Sequence, residues 1–157
     1  MNYWLMKTEP RVFSIEDLEK EKQSPWEGVR NYQARNYMKT MSTQDLAFIY
    51  HSSDKTIGIA GLASVISTAY PDDTAFDPNS AYYDPHSSPD HQRWVRVDVG
   101  FLKKYQPILT LAEMKSYPEL STMRVLKKGC RLSIQPVSHE EFKFLNTLLS
   151  SRNSKNT

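Results

Sequence analysis

The sequence has little cysteine, little glycine and little net charge, and each shortage excludes a class of protein. Its 157 residues include one cysteine, Cys130, so no disulfide framework can form within the chain and a reducing compartment is expected. Neither a Gly-rich phosphate loop nor a nucleophile elbow is present. The formal net charge of +2 does not fit a protein that coats a nucleic-acid backbone, so only a local basic patch is expected.

Long apolar runs are absent as well. No stretch approaches the ~18 apolar residues that cross a bilayer. Residues 1–7 lack the basic leader and the apolar run of a signal peptide, and no basic cluster of the nuclear-import type is visible. We therefore expect a cytoplasmic protein with no membrane partner. The length fits one domain, which we place at 1–150, followed by a flexible tail at 151–157.

Aromatic residues are plentiful, and they meet polar groups in the segment WEGVRNYQARNY at 26–37. This central segment holds three aromatics, two arginines, two asparagines and a glutamine. A packed core does not need that mixture, whereas a polar pocket with a stacking platform does, because stacking on an aromatic contributes ~1–3 kcal/mol per base. We predict that the central segment forms the lip and floor of a site for a nucleobase, either free or within a nucleic acid.

Hydrophobic periodicity predicts a chain of short elements. Interior glycines at Gly58 and Gly61 indicate a bent or curling sheet, and 70–92 is predicted to be a long loop folded over the body. The pattern favours an α+β fold, a compact, mixed, mostly antiparallel β-barrel with flanking short helices. Strands are predicted at 3–6, 45–51, 57–66, 94–101 and 131–137, and helices after Ser14, Asn31, Thr110 and Ser138, with a further helical turn within 120–128.

Within the central segment, each candidate has a plainer alternative. Trp26 is the best stacking platform, and its plainer alternative is a tryptophan of the core or of a lid. The polar residues around it favour the pocket. Asn31 can read a base edge through its amide or act only as a helix N-cap. Arg30 and Arg35 suit phosphate contacts, although a solvated helix face is the commoner role. Arg35 is the stronger candidate because helical spacing puts it on one face with Tyr32.

The opposite wall of the site must come from segments that are distant in sequence. Tyr50, His51 and Ser52 end a predicted strand, where pockets often form. His51 has no second histidine or cysteine at metal-ligand spacing. We therefore expect it to form hydrogen bonds, and we expect no metal.

The last predicted strand contributes Ser133 and Gln135, whose side chains suit either a base edge or local backbone groups. Lys7 ends the first strand and is expected at the rim, and Tyr83 in the long loop is expected to wall the pocket. The acidic pair at 72–73 is interpreted as solvated loop. We predict that the segments 26–35, 50–52 and 133–135 converge on one cavity.

Four blocks resemble, in order, the signature segments of the EVE domain family: KTEP at 7–10, WEGVRNYQARN at 26–36, FIYHS at 48–52 and RLSIQPV at 131–137. Residues 75–78, 82–85 and 93–94 also fit, and the resemblance extends over about 3–149. It implies a PUA-like fold and an aromatic-lined pocket for modified bases of DNA or RNA. The pattern departs at Thr8, Gln44 and Phe142, where serine, glycine and tryptophan are expected.

Together, the residues and the resemblance favour a non-enzymatic reader module that binds a modified nucleobase in DNA or RNA. We expect a nucleic-acid partner, a monomer, and neither cofactor nor metal. Two alternatives stay open: an enzyme that acts on a modified base or nucleotide through His51, and a protein-interaction scaffold with a vestigial pocket. Stacking and amide groups without a paired catalytic acid and base favour the reader.

Overall fold

The computed structural model describes residues 1–152 and shows one mixed sheet covered by helices. The strands are β1 (Tyr3–Thr8), β2 (Gln23–Trp26), β3 (Leu46–His51), β4 (Gly58–Val65), β5 (Tyr70–Pro71), β6 (Val95–Thr110) and β7 (Ile134–Val137). The helices are α1 (Ile15–Glu21), α2 (Tyr32–Lys39), α3 (Leu111–Lys115) and α4 (His139–Leu149). Short 3-10 turns lie at Asp73–Phe76, Pro118–Leu120, Arg124–Leu126 and Ser150–Arg152.

The sheet is open, which corrects the predicted barrel. Its strand order is β2-β6-β4-β3-β1-β7, with β5 paired to β6 outside this path. All pairings are antiparallel except that of β1 with β3, so the mostly antiparallel mixed sheet is confirmed. Within residues 1–152, no pairing joins the edge strands β2 and β7. Helix α2 packs against both β6 and β7.

Side chains alternate between two hydrophobic cores, one on each face of the sheet. In β1, Trp4 and Met6 enter the first core, which holds buried residues of α1 and α2, while Leu5 enters the second with residues of α3 and α4. Strand β3 divides in the same way, with Phe48 in the second core and Ile49 in the first. Side chains of β1 and β3 therefore alternate with a period of two, and because both faces of the sheet are covered, β3 is buried on both.

The predicted helix starts are confirmed by their caps. Ser14, Thr110 and Ser138 each close a capping box with the acidic residue three positions later. Asn31 caps α2, because its side-chain oxygen accepts the Ala34 N–H at 2.9 Å. The expected helical turn within 120–128 is present as a 3-10 turn at Arg124–Leu126, and a second 3-10 turn, Pro118–Leu120, ends where that range begins.

Two strands differ from the prediction. Strand β2 is not among the predicted strands. It contains Pro25, which is tolerated because β2 is an edge strand, where a missing N–H is acceptable. Strand β6 runs past the predicted end at 101 to Thr110. Its pairing with β4 shifts between Ile59 and Gly61, so Pro107 lies in an irregular stretch rather than in a regular ladder.

Gln44 occupies the position where the family resemblance leads us to expect glycine. It has φ of 75°, in the left-handed region that glycine adopts without strain. At the other end of the chain, the predicted tail at 151–157 begins with residues that are held in place. Arg152 belongs to a 3-10 turn and donates to Glu113 at 2.6 Å, while 153–157 lie outside the described residues.

Candidate functional site

A cleft of about 780 Å³ opens where β1, β2 and the loop before β7 come together. The backbone connects these segments directly: Lys7 N–H donates to the Ser133 carbonyl at 2.8 Å, and Ser52 N–H donates to the Thr8 carbonyl at 2.9 Å. Segments far apart in sequence therefore meet at the end of the sheet. Of the predicted site residues, the cleft is lined by Lys7, Trp26, Arg30, Ser52 and Ser133.

Aromatic side chains form one wall of the cleft. Trp26, at the end of β2, is only 7% exposed and meets Phe13 edge-to-face with ring centroids 6.2 Å apart. Trp26 belongs to the first core and also lines the cleft. Gly28 follows with φ of 83°, and a Cβ at this position would lie 2.6 Å from the Tyr82 ring. The glycine thus allows the Tyr82 ring to pack directly against the backbone of the central segment.

Arg30 is held by the long loop. Its guanidinium donates to the Tyr82 carbonyl at 2.7 Å, to the Asp72 carboxylate at 3.0 Å and to the Thr74 hydroxyl at 3.2 Å. Because its side-chain nitrogens already have protein partners, Arg30 positions the loop rather than serving as the free phosphate ligand suggested by the sequence. This part of the prediction is corrected.

Asp72 is the central acceptor of this network. Its side chain is fully buried, and it also accepts the Gly28 N–H at 2.8 Å. Burial alone would raise the pKa of Asp72, but hydrogen bonds from Thr74, Gly28 and Arg30 outweigh it and hold the pKa below its ordinary value. Asp72 therefore remains a carboxylate that fixes the cleft floor to the loop. The interpretation of 72–73 as solvated loop is wrong for Asp72.

The polar rim of the cleft is lined by Lys7, Ser52 and Ser133. The Lys7 ammonium donates to the Cys130 carbonyl at 3.0 Å and lies 5.9 Å from the centre of the Tyr50 ring. Burial lowers the pKa of Lys7 from its ordinary value. A half-buried cation and two hydroxyl groups thus face the same space as the aromatic wall.

Three predicted site residues are buried away from the cleft. His51 accepts the Ile15 N–H at its Nε2 over 3.0 Å, so it supports the first turn of α1. Tyr50 lies in the second core, where burial raises its pKa to about 12. Gln135 is 1% exposed and donates to the Leu132 carbonyl at 2.8 Å, because its register opposite Leu5 turns it inward. None of the three lines the cleft, which corrects their assignment as its wall.

Three further residues lie on the outer surface of α2 or of the long loop. Tyr32 stacks on Trp94 with centroids 4.8 Å apart, and the Arg35 guanidinium lies 4.8 Å from the Tyr32 ring. They share a helix face as predicted, but that face does not line the cleft. Tyr83 is exposed, whereas its neighbour Tyr82 lines the cleft, so the expected loop aromatic was misplaced by one position.

Asn31 combines its confirmed N-cap role with a place on a second groove. This groove of about 420 Å³ shares Cys130 and Arg131 with the main cleft, so the two are adjacent. Sequence reasoning missed Phe13, Asp72, Tyr82 and Arg131 among the residues that form this region. The spacing of the arginines and aspartates gave no signal for their pairing, since Arg30 and Asp72 are far apart in the chain.

The chemistry available in the cleft is stacking, hydrogen bonding and attraction of anions. Among residues 1–152, no group of three or more His, Cys, Asp and Glu side chains is arranged to hold a metal ion. In the same part of the chain, none of the helices is long and apolar enough to span a membrane.

Comparison with known proteins shows which family the chain belongs to. Human thymocyte nuclear protein 1 is 45% identical over 166 residues, which span 94% of this chain and 73% of the human protein. The solved structure of human THYN1 protein in complex with 5-methylcytosine-containing DNA aligns with a TM-score of 0.89 and 42% identity, covering 100% of both chains. A crystal structure from Pseudomonas syringae aligns with a TM-score of 0.91 and 43% identity, covering 93% of this chain and 98% of that one. Residues 2–148 match the EVE domain, and the chain belongs to the EVE domain family.

Proposed function

We propose that this protein is a non-enzymatic reader that binds a modified nucleobase of DNA or RNA in the cleft between Trp26 and Tyr82. The observation that carries the proposal is the composition of the cleft, in which an aromatic wall faces Lys7, Ser52 and Ser133. Aromatic rings accept any base through its flat face, and a few hydroxyl and ammonium groups are suited to its polar edge. The human relative solved with 5-methylcytosine-containing DNA supports this proposal and indicates the first probe.

The absence of catalysis is part of the proposal. His51 was the candidate for an enzyme mechanism, and its Nε2 accepts a backbone N–H inside the fold. A general base has to reach the proton that it abstracts, and His51 is buried and does not line the cleft. Incubation with modified nucleosides followed by mass spectrometry tests this statement, and a converted product would contradict it.

The cellular setting is also proposed. We infer a reducing compartment, because a single cysteine gives no framework of disulfides, and we propose that the protein is a monomer. The cytoplasm is our proposed location, although the human relative is named as a nuclear protein. Imaging of a tagged chain tests the location, and light scattering tests the monomer.

Neighbouring tyrosines provide a matched test of the base site. Tyr82→Leu removes the ring that lines the cleft but keeps the backbone carbonyl that holds Arg30, whereas Tyr83→Leu alters an exposed neighbour. We expect Tyr82→Leu to weaken binding of 5-methylcytosine-containing DNA roughly tenfold or more, because stacking contributes ~1–3 kcal/mol per base. Fluorescence anisotropy with methylated and unmethylated oligonucleotides measures the change. Equal affinities for the two variants would overturn the assignment of the cleft.

A further inference from the structure

The groove beside the cleft is strongly basic, although the chain as a whole is nearly neutral. Its lining includes Arg124, Lys127, Lys128 and Arg131, together with the side-chain amides of Asn31 and Gln33. All six side chains belong to exposed residues. The sequence from 120 to 139 contains no aspartate or glutamate, so positive charge accumulates here without local compensation.

The charges in this groove are available for a ligand. Among residues 1–152, none of the four groove cations forms an ion pair with a carboxylate. Arg124 has one aromatic contact, with its guanidinium 5.9 Å from the centre of the Tyr37 ring. Arg30 and Arg96 differ from these groove cations, because both form ion pairs with carboxylates. Exposed cations with no protein partner are the groups that exchange counterions for phosphates.

The groove and the cleft adjoin. Cys130 and Arg131 line both, so a nucleotide next to a base in the cleft lies close to the groove. The loop that contributes Tyr82 to the cleft has the opposite character: beyond Asp72 and Asp73, which pair with arginines, residues 70–92 contain three more aspartates, at 77, 84 and 90. A polyanion is therefore attracted along 124–131 and repelled along the exposed part of the acidic loop.

We propose that this groove binds the sugar–phosphate backbone of the nucleotides that flank the base in the cleft. This inference rests on the proposed function and narrows its ligand. The protein reads a base within a polynucleotide, and a free base or nucleoside is a poor ligand because it leaves the groove empty. Arg124, Lys127 and Lys128 contact phosphates without reading sequence, and Arg131 lies at the junction.

A pair of double variants with equal loss of charge tests the groove. Lys127→Gln with Lys128→Gln removes two groove cations, and Lys115→Gln with Lys143→Gln removes two exposed cations on α3 and α4, outside both sites. The probes are a 12-nucleotide DNA with one central 5-methylcytosine, its unmethylated counterpart, and free 5-methyl-2′-deoxycytidine. Affinities for each are measured at several salt concentrations.

The groove double variant is expected to bind both oligonucleotides several-fold more weakly than the wild type. The slope of log K against log salt should shrink by about 0.7 for each phosphate of the single strand that the variant no longer neutralises. Its preference for the methylated strand and its affinity for the nucleoside should stay unchanged. A salt slope and oligonucleotide affinity equal to those of the control double variant would overturn the proposed groove.

The two proposals fail in different ways in this experiment. The salt slope measures phosphate binding in the groove. The ratio of methylated to unmethylated affinity, and its loss in Tyr82→Leu, measure base recognition in the cleft. If the wild type shows no preference for the methylated strand, but its salt slope depends on Lys127 and Lys128, then only the proposed base reader is contradicted. If the wild type binds both oligonucleotides with an affinity that does not depend on salt, the proposal that the groove binds phosphates is contradicted.

Discussion

The Arg30 guanidinium and the Asp72 carboxylate form an ion pair of 3.0 Å that joins the central segment to the long loop. The Asp72 side chain is fully buried, while that of Arg30 is 23% exposed at the cleft. The carboxylate also receives the Gly28 N–H, and Arg30 also holds the Tyr82 carbonyl. One buried charge pair thus fixes both the floor and the aromatic wall of the cleft.

Removal of Asp72 should destabilise the protein strongly. Asp72→Ala leaves the Arg30 charge and the Gly28 N–H without their partner, and breaking a buried pair from one side costs about 3–5 kcal/mol. Asp73→Ala is the matched control, because the Asp73 side chain is 71% exposed and its pair with Arg96 spans 3.2 Å. The control should lose no more than about 1 kcal/mol. Urea unfolding measures both, and similar losses would refute the anchoring role of Asp72.

The glycine at the cleft floor should be irreplaceable for a steric reason as well as a conformational one. Gly28→Ala combines a positive φ with a Cβ placed 2.6 Å from the Tyr82 ring, so the ring has to move. Gly129→Ala has a similar φ of 75° but meets nothing within 4 Å. The control should cost about 1–2 kcal/mol for backbone strain alone. Thermal unfolding should show a larger loss of stability for Gly28→Ala than for Gly129→Ala, and Gly28→Ala should also bind DNA more weakly. Equal losses of stability in the two variants would exclude the clash with Tyr82.

The surface stack around Tyr32 should contribute to stability rather than to base recognition. Tyr32 is 50% exposed, contacts Trp94 and Arg35, and lies outside the cleft. Tyr32→Ala should lower the unfolding free energy by about 1 kcal/mol, the size of an aromatic pair. The ratio of methylated to unmethylated DNA affinity should change by less than about twofold. Loss of that preference would move the base site to the outer face of α2.

Local patterns were sufficient to predict most elements of the fold. Caps at Ser14, Asn31, Thr110 and Ser138 depend on residues within one helical turn, and the structure shows all four. The alternation along β3 likewise gave the two buried faces. The prediction of a closed barrel was wrong because closure depends on whether the distant strands β2 and β7 pair, and no local pattern contains that information.

The candidate site was only partly predictable for the same reason. Trp26, Ser52 and Ser133 were grouped from segment composition and the family resemblance, and the structure brings them to one cleft. Gln135 was misassigned because a polar residue in a strand suggests an outward face, whereas its pairing opposite Leu5 turns it inward. The pairing of Arg30 with Asp72 depends on the path of the long loop, which periodicity does not determine.

His51 should make stability depend on pH near neutrality. Burial lowers the pKa of His51 below its ordinary value of 6.5, although Glu16, Asp54 and Asp17 partly offset this effect. The unfolded chain therefore takes up the proton at a higher pH than the folded chain. Stability from neutral His51 is fully present above about pH 6.5 and is lost as the pH falls toward the folded pKa. Protonation also removes the acceptor for the Ile15 N–H.

Substitution of His51 by glutamine separates this effect from general acid sensitivity. The amide oxygen of His51→Gln can accept the Ile15 N–H in place of Nε2, and it does not titrate between pH 7.5 and 5. Unfolding free energies measured across that range should fall more in the wild type than in the variant, because only the wild type carries the imidazole whose pKa is lowered by burial. His86→Gln, at an exposed loop position, should keep the wild-type profile. Parallel profiles for the wild type and His51→Gln would show that the buried imidazole does not control the pH response.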